Sequence, residues 1–295
     1  MRRAFLAALI AGATLVTASA CGVPPGTDGD LSNQWPAMPA AAGWEPKAGS
    51  CSQDFSANLF RSGYNPVECT AAHKFETVHI GQFTGDAARG GIPASNSDTM
   101  KAAWSECDKK TTEFLGGNWR DGRIWIGVSL PSRGNWDGGA KWYRCEAGIY
   151  EDLFSSSMTS RNKSLKGEFS GASDLKYGCL NVPKAEDQEI QPVDCGTGHN
   201  AEYVGSFAVD LSWDDVHKDK GPDSVHNSCR ATIASYVGVP NDNNLKYRTG
   251  TYYFTASKRD WDAGDRSIRC HLYVGKTLTK SLKGTGTGGL PINYA

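Results

Sequence analysis

The chain has no real surplus of either charge: 31 basic side chains stand against 32 acidic ones, a formal net charge of −1. Phosphate binding needs a basic field, so nucleic acid is excluded as a partner. No C-x-x-C pair occurs and the cysteine spacings are long and irregular, which argues against structural zinc. There is no Gly-x-Ser-x-Gly elbow and no phosphate loop. Ser160-Arg-Asn-Lys163 matches S-x-x-K, but no S-D-N or K-T-G follows it, so the match reads as coincidence. After Val16 no apolar run is long enough to span a bilayer. The expectation is a non-enzymatic protein with no cofactor and no metal.

Aromatics make up 10% of the 295 residues, with nine Trp, enough to fill real cores. The length favours two domains. Residues 1–20 read as an export signal: Arg2 and Arg3 precede an apolar run from Ala4 to Val16, and small residues lead to Cys21. Ala18-Ser19-Ala20-Cys21 resembles a bacterial lipobox, although Ala18 stands where Leu is commoner. The resemblance implies that Cys21 is acylated and holds the protein to the lipid bilayer, at the outer face of the cytoplasmic membrane. Residues 21–47, rich in Pro, Gly and Ala, are expected to be anchor and flexible tether.

Setting Cys21 aside leaves eight cysteines: Cys51, Cys69, Cys107, Cys145, Cys179, Cys195, Cys229 and Cys270. An even count in an exported chain suggests disulfides. An internal repeat narrows the choices. Cys69, His73, Glu76 and Val78 recur at the same spacing as Cys195, His199, Glu202 and Val204. LPSRGNWDGGAKWYRC, ending at Cys145, aligns without a gap on TASKRDWDAGDRSIRC, ending at Cys270. Ser132, Trp136, Asp137, Gly139, Arg144 and Cys145 match Ser257, Trp261, Asp262, Gly264, Arg269 and Cys270. If each repeat folds alone, each allows three connectivities. The favoured pairs are Cys51–Cys69, Cys107–Cys145, Cys179–Cys195 and Cys229–Cys270. The first in each repeat closes a short excursion, and the second staples helix to sheet.

The expected fold is α+β: two homologous disulfide-stapled domains, each a small antiparallel sheet with one main helix. Met100, Ala103, Trp104, Cys107, Thr111, Phe114 and Leu115 fall on one helical face, with Ser97 and Asp98 as caps and Gly116-Gly117 as the stop. Val225, Cys229, Ile233, Tyr236 and Val237 repeat the pattern, with Asp223 as the cap and Gly238 as the stop. Strand-like runs follow at Arg123–Leu130, Lys141–Tyr150, Leu245–Ala256 and Ser267–Val274, joined by turns at GNWDGG and RDWDAG. The divisions are repeat 1 over residues 48–154, a linker over 155–173, repeat 2 over 174–276 and a flexible tail over 277–295.

The sequence of a lipoprotein signal, Cys-x3-His-x2-Glu-x-Val, a helix with a Cys, and Trp-x2-Gly before Arg-Cys resembles the septum-formation domain family of actinobacterial envelope proteins. The resemblance covers about Gly49–Val274. It implies a role in cell division and brings no catalytic residues with it. The second copy departs at Ala256, where the first has Pro131.

Two sets of residues are candidate binding groups. His73 with Glu76, and His199 with Glu202, suggest a metal or acid–base site. On a strand, side chains three residues apart point to opposite faces, and two ligands are few for a metal. Hydrogen bonding to nearby backbone is the favoured role. Trp136 and Trp261 could stack on wall sugars or pack the corner between helix and sheet; Trp104, Trp119, Trp125 and Trp142 are assigned to cores. Three functions compete, in this order: binding a division or envelope protein, binding peptidoglycan as a glycan module, and metal-assisted wall hydrolysis.

Overall fold

The structure, a computed structural model, describes residues 43–153, 155–184, 189–218 and 221–293. The export signal, Cys21 and most of the tether lie outside the described residues. No helix among the described residues is long and apolar enough to cross a membrane.

Each repeat builds one five-stranded sheet. The first holds β1 (Cys51–Ser52), β2 (Asn58–Leu59), β3 (Phe75–Gln82), β4 (Ile124–Pro131) and β5 (Trp142–Ile149), in the order β1-β3-β5-β4-β2. The second holds β6 (Cys179–Asn181), β7 (Gln191–Val193), β8 (His199–Ala208), β9 (Gly250–Thr255) and β10 (Ser267–Leu278), in the order β7-β6-β8-β10-β9. Pairing is antiparallel except that β2 runs parallel to β4. The fold is therefore α+β with two mainly antiparallel sheets and four disulfides.

Each sheet carries one long helix. In α1 (Asp98–Leu115), the Ser97 hydroxyl accepts from Met100 N and Gly116 closes the end at φ 74°. Ala103, Trp104, Cys107, Thr111 and Leu115 are buried, the stripe that the periodicity requires. A disulfide ties Cys107 of this helix to Cys145 of β5. The counterpart in the second repeat buries Val225, Cys229, Ile233 and Val237, and Cys229 is bonded to Cys270 of β10. There Asp223 is not the cap: Pro222 holds that position and Asp223 is the first helical residue. Its charge faces the positive helix end instead of capping an N–H.

The GNWDGG and RDWDAG blocks are not tight turns. Each is a short helix, α2 (Arg133–Asp137) and, after α3 (Asp223–Val237), α4 (Lys258–Ala263). The shared serine explains this: Ser132 accepts from Asn135 N, and Ser257 from Asp260 N, an N-cap that starts a helix where a hairpin turn is expected.

The segments expected from the sequence to be linker and tail are built into the two cores. Leu165 and Phe169 are buried with Trp104, Leu115 and Trp119 of the first repeat. Leu282 and Leu290 are buried with Ile233, Val237 and Leu272 of the second. Both segments carry the same five residues, Lys163-Ser-Leu-Lys-Gly167 and Lys280-Ser-Leu-Lys-Gly284. The Gly167 N–H donates to Phe114 O and the Gly284 N–H to Tyr236 O, which satisfies one of the free carbonyls at each helix end. Both glycines sit at positive φ, 73° and 68°, a conformation costly for other residues.

Candidate functional site

Both His–Glu pairs are buried, at 1% and 2% exposure for His73 and Glu76 and 1% and 0% for His199 and Glu202. Each histidine closes the turn before its strand: Nδ1 of His73 donates to Ala71 O at 2.9 Å, and Nδ1 of His199 to Thr197 O at 2.8 Å. Each glutamate receives the returning segment. Glu76 accepts from the Ser164 hydroxyl at 2.6 Å and from Leu165 N at 2.7 Å. Glu202 accepts from the Ser281 hydroxyl and Leu282 N, both at 2.8 Å. The second copy adds the Tyr236 hydroxyl at 2.9 Å, where the first has Phe114. The two pairs are thus anchors for the Lys-Ser-Leu-Lys-Gly segments, a buried carboxylate being tolerable when its oxygens are fully engaged.

The expectation that such residues diverge fails in the second copy: His199 Nε2 lies 3.2 Å from Glu202 Oε1. His199 is at the very start of β8, opposite an irregularity in the ladder between Tyr273 and Leu278, so strict alternation does not hold there. His73 precedes β3 altogether and bridges to Arg161.

Among the described residues, side chains of metal-binding type gather in two places: Cys51, Cys69 and Glu76, and Cys179, His199 and Glu202. Cys51 is bonded to Cys69, and Cys179 to Cys195, so neither cluster has a thiolate to offer. The pairing of all eight cysteines is the one their order favours.

Trp136 and Trp261 are 1% and 0% exposed. They pack the corner between helix and sheet, Trp136 with Phe83 and Cys107, Trp261 with Val225 and Cys229. Neither presents a face for a sugar. Trp104, Trp119, Trp125 and Trp142 are buried as well. The spacing Gly284-x-Gly286-x-x-Gly289 matches a dinucleotide fingerprint formally. Its helix is only four residues long, Gly286–Gly289, and Gly284 is spent docking on Tyr236.

Charges that sequence reasoning passed over lie on the sheet faces turned away from the helices. Arg144 in β5 meets Glu146 at 2.5 Å. Burial pushes the Glu146 carboxyl up to about 7, against the pull of Arg144 and a hydrogen bond from Thr77. At the matching place in β10 the residue is His271, and Arg269 turns instead to Asp265 at 3.0 Å. Burial pushes the His271 imidazole down to about 3, and among the described residues neither ring nitrogen has a side-chain hydrogen-bond partner.

This face of the second sheet is covered by the first repeat. Tyr203 donates its hydroxyl to Asp121 at 2.7 Å, and Asn118 donates to Ser206 at 3.1 Å. Across the same junction Asp260 accepts from Trp125 Nε1 at 3.2 Å and from the Tyr150 hydroxyl at 2.6 Å. Burial opposes the Asp260 charge, but hydrogen bonds from Tyr150, Ser257 and Arg259 hold its carboxyl below the ordinary range. Asp260 has no acidic counterpart in the first repeat, where Asn135 stands.

No curated protein and no solved structure matches the chain. A family model described as septum formation matches residues 48–270, spanning both repeats and the segment between them as one unit. With that match covering most of its length, the chain belongs to the septum formation family.

Proposed function

We propose that this protein is a non-enzymatic lipoprotein, held at the outer face of the cytoplasmic membrane by acylated Cys21, that serves septum formation by binding a division or envelope-assembly protein. Family membership supports a role related to septum formation. The observation that carries the finer reading is the burial of His73, Glu76, His199, Glu202, Trp136 and Trp261, each at 2% exposure or less. Groups without solvent access do not meet a substrate; what is left to act is surface. Four disulfides suit an oxidising compartment, and the apolar run before Cys21 suits export and anchoring. A peptidoglycan-binding role loses its stacking surface once both corner tryptophans lie in the core.

The test is cross-linking of the anchored protein in growing cells, with identification of the captured material. The expected result is reproducible capture of division-site or wall-assembly proteins, abolished with Cys21→Ser, which releases the anchor. Capture of peptidoglycan alone would overturn the partner reading in favour of a glycan module. Stoichiometric metal in the purified protein, with wall hydrolysis lost in His73→Ala, would overturn it in favour of an enzyme.

A further inference from the structure

We propose that the open edge of β4 is a docking slot for an extended peptide segment of the protein partner, which adds to the first sheet as a strand. This rests on the partner-binding reading above and specifies how the partner is held.

In its sheet β4 has β5 on one side and β2 on the other. β2 is two residues long and reaches only Leu130 and Pro131. The ladder fixes which backbone groups face the open side. The Phe83 N–H donates to Lys141 O at 2.7 Å, so Lys141 turns to β3, and by the alternation of an antiparallel ladder Arg144, Glu146 and Gly148 of β5 turn to their β4 partners Ser129, Gly127 and Trp125. By that alternation Trp125, Gly127 and Ser129 bond to β5, while Ile126 and Val128 turn their N–H and C=O groups away from it. The end of β4 agrees: Leu130, next in the outward series, donates its N–H to Ala57 O at 2.9 Å. Among the described residues no strand pairs with Ile126 and Val128 on this side, which leaves an open stretch of ladder with outward residues about 7 Å apart.

This stretch is recessed. It lies along a groove of about 510 Å³, a size that takes a few extended residues. Phe55 and Asn58 line the groove from the β2 segment, Met100 and Trp104 from α1, and Arg259 and Ala263 from α4 of the second repeat. Both repeats are needed to form it.

The chain itself shows what this edge accepts. β2 is an extended segment already added to β4 at Leu130, and the vacant ladder begins where β2 stops. An occupant that continues the series must supply backbone donors and acceptors at strand spacing, and apolar side chains suit the Met100 and Trp104 wall. A bare edge of this kind is what strand addition recognises. A lipid chain or sugar would leave the Ile126 and Val128 groups unpaired inside the groove.

The test uses the full chain, purified in detergent and screened against a phage library of random nine-residue peptides. Enriched peptides are expected to carry apolar residues at alternate positions and no internal proline. Bound peptide is expected to slow hydrogen exchange at the Ile126 and Val128 amides about ten-fold or more. Ala263→Trp, on an exposed wall of the groove, is expected to weaken binding about ten-fold or more with the melting temperature unchanged. Ala57→Trp, plugging from the β2 side, serves if the first variant misfolds. No enriched peptide, unchanged exchange in β4, or equal binding by the plugged variants would overturn the slot. In cells, capture of the same partner by parent and plugged variants would remove the slot and leave the partner reading intact. Absence of any captured protein with the parent would remove the partner reading itself.

Discussion

Ser281 donates its hydroxyl to the buried Glu202 carboxylate at 2.8 Å, across 79 residues of sequence. Ser164 and Glu76 repeat the contact in the first copy. In each repeat one carboxylate thus holds the chain that returns beneath the long helix. Glu202→Ala is expected to orphan Leu282 N and to leave the Tyr236 hydroxyl only Ser281, 3.1 Å away, at a cost of about 3 kcal/mol, with Glu76→Ala costing less because it lacks the tyrosine. Tyr236→Phe, which copies Phe114, should cost only about 1 kcal/mol. Denaturant unfolding of the three variants checks the order; equal losses for Glu76→Ala and Glu202→Ala would contradict it.

The disulfides differ in the loops they close. Cys107–Cys145 and Cys229–Cys270 span 38 and 41 residues, against 18 and 16 for Cys51–Cys69 and Cys179–Cys195. Restriction of the unfolded chain predicts about 4 kcal/mol for each long loop and about 3 for each short one. Paired Cys→Ala variants, melted side by side, are expected to follow that order. The helix-to-sheet pairs also pack in the cores, so their removal adds a cavity loss that widens the gap.

Much of this architecture is legible in the sequence, for a definite reason. Cysteine and tryptophan are rare and large in their consequences, so their recurrence at fixed spacing marks the repeat before any strand is placed. The Lys-Ser-Leu-Lys-Gly segments escape the same reading although they are identical. Each has one apolar residue among polar ones, which gives no periodicity, and Leu165 and Leu282 are buried because their N–H groups are claimed by a glutamate 89 and 80 residues away. The face between the repeats is hidden for a similar reason: the side chains of Asp260 and Asp121 read as surface acids until Tyr150 and Tyr203 are brought to them. The groove beside β4 depends on where β2 stops, which is a fact of topology and leaves no mark in local composition.

Glu146 and His271 occupy the same place in the two repeats and pull the pH dependence of stability in opposite directions. Glu146, pushed up to about 7 by burial, binds its proton more tightly folded than unfolded. Its contribution is present below the ordinary carboxylate range and is lost as the pH rises towards 7. His271, pushed down to about 3 by burial, binds its proton more tightly unfolded. Its contribution is present above about 6.5 and is lost as the pH falls towards 3. Glu146→Gln is expected to flatten the decline between about pH 4.5 and 7, and His271→Leu the decline on the acid side. Melting temperatures of parent and variants across pH 3 to 8 give the comparison, and a Glu146→Gln profile that parallels the parent would contradict the assignment.

Trp136 and Trp261 separate a structural role from a sugar-binding one by what fails first. Each fills a corner shared by a short helix, a long helix and the sheet, and the Trp136 indole also donates to Gly90 O at 3.0 Å. Truncation to Ala removes a fully buried ring and leaves a cavity, at a cost of about 3–5 kcal/mol. The expected outcome is a large fall in melting temperature for both variants, with Trp136→Ala also losing the hydrogen bond to Gly90 O. Trp261 Nε1 has no hydrogen-bond partner among the described residues, so Trp261→Phe should recover most of the loss, whereas Trp136→Phe should recover less. Sedimentation with purified peptidoglycan provides the opposing result: a parent that pellets, and an Ala variant that stays folded but soluble, would restore the glycan role to these corners.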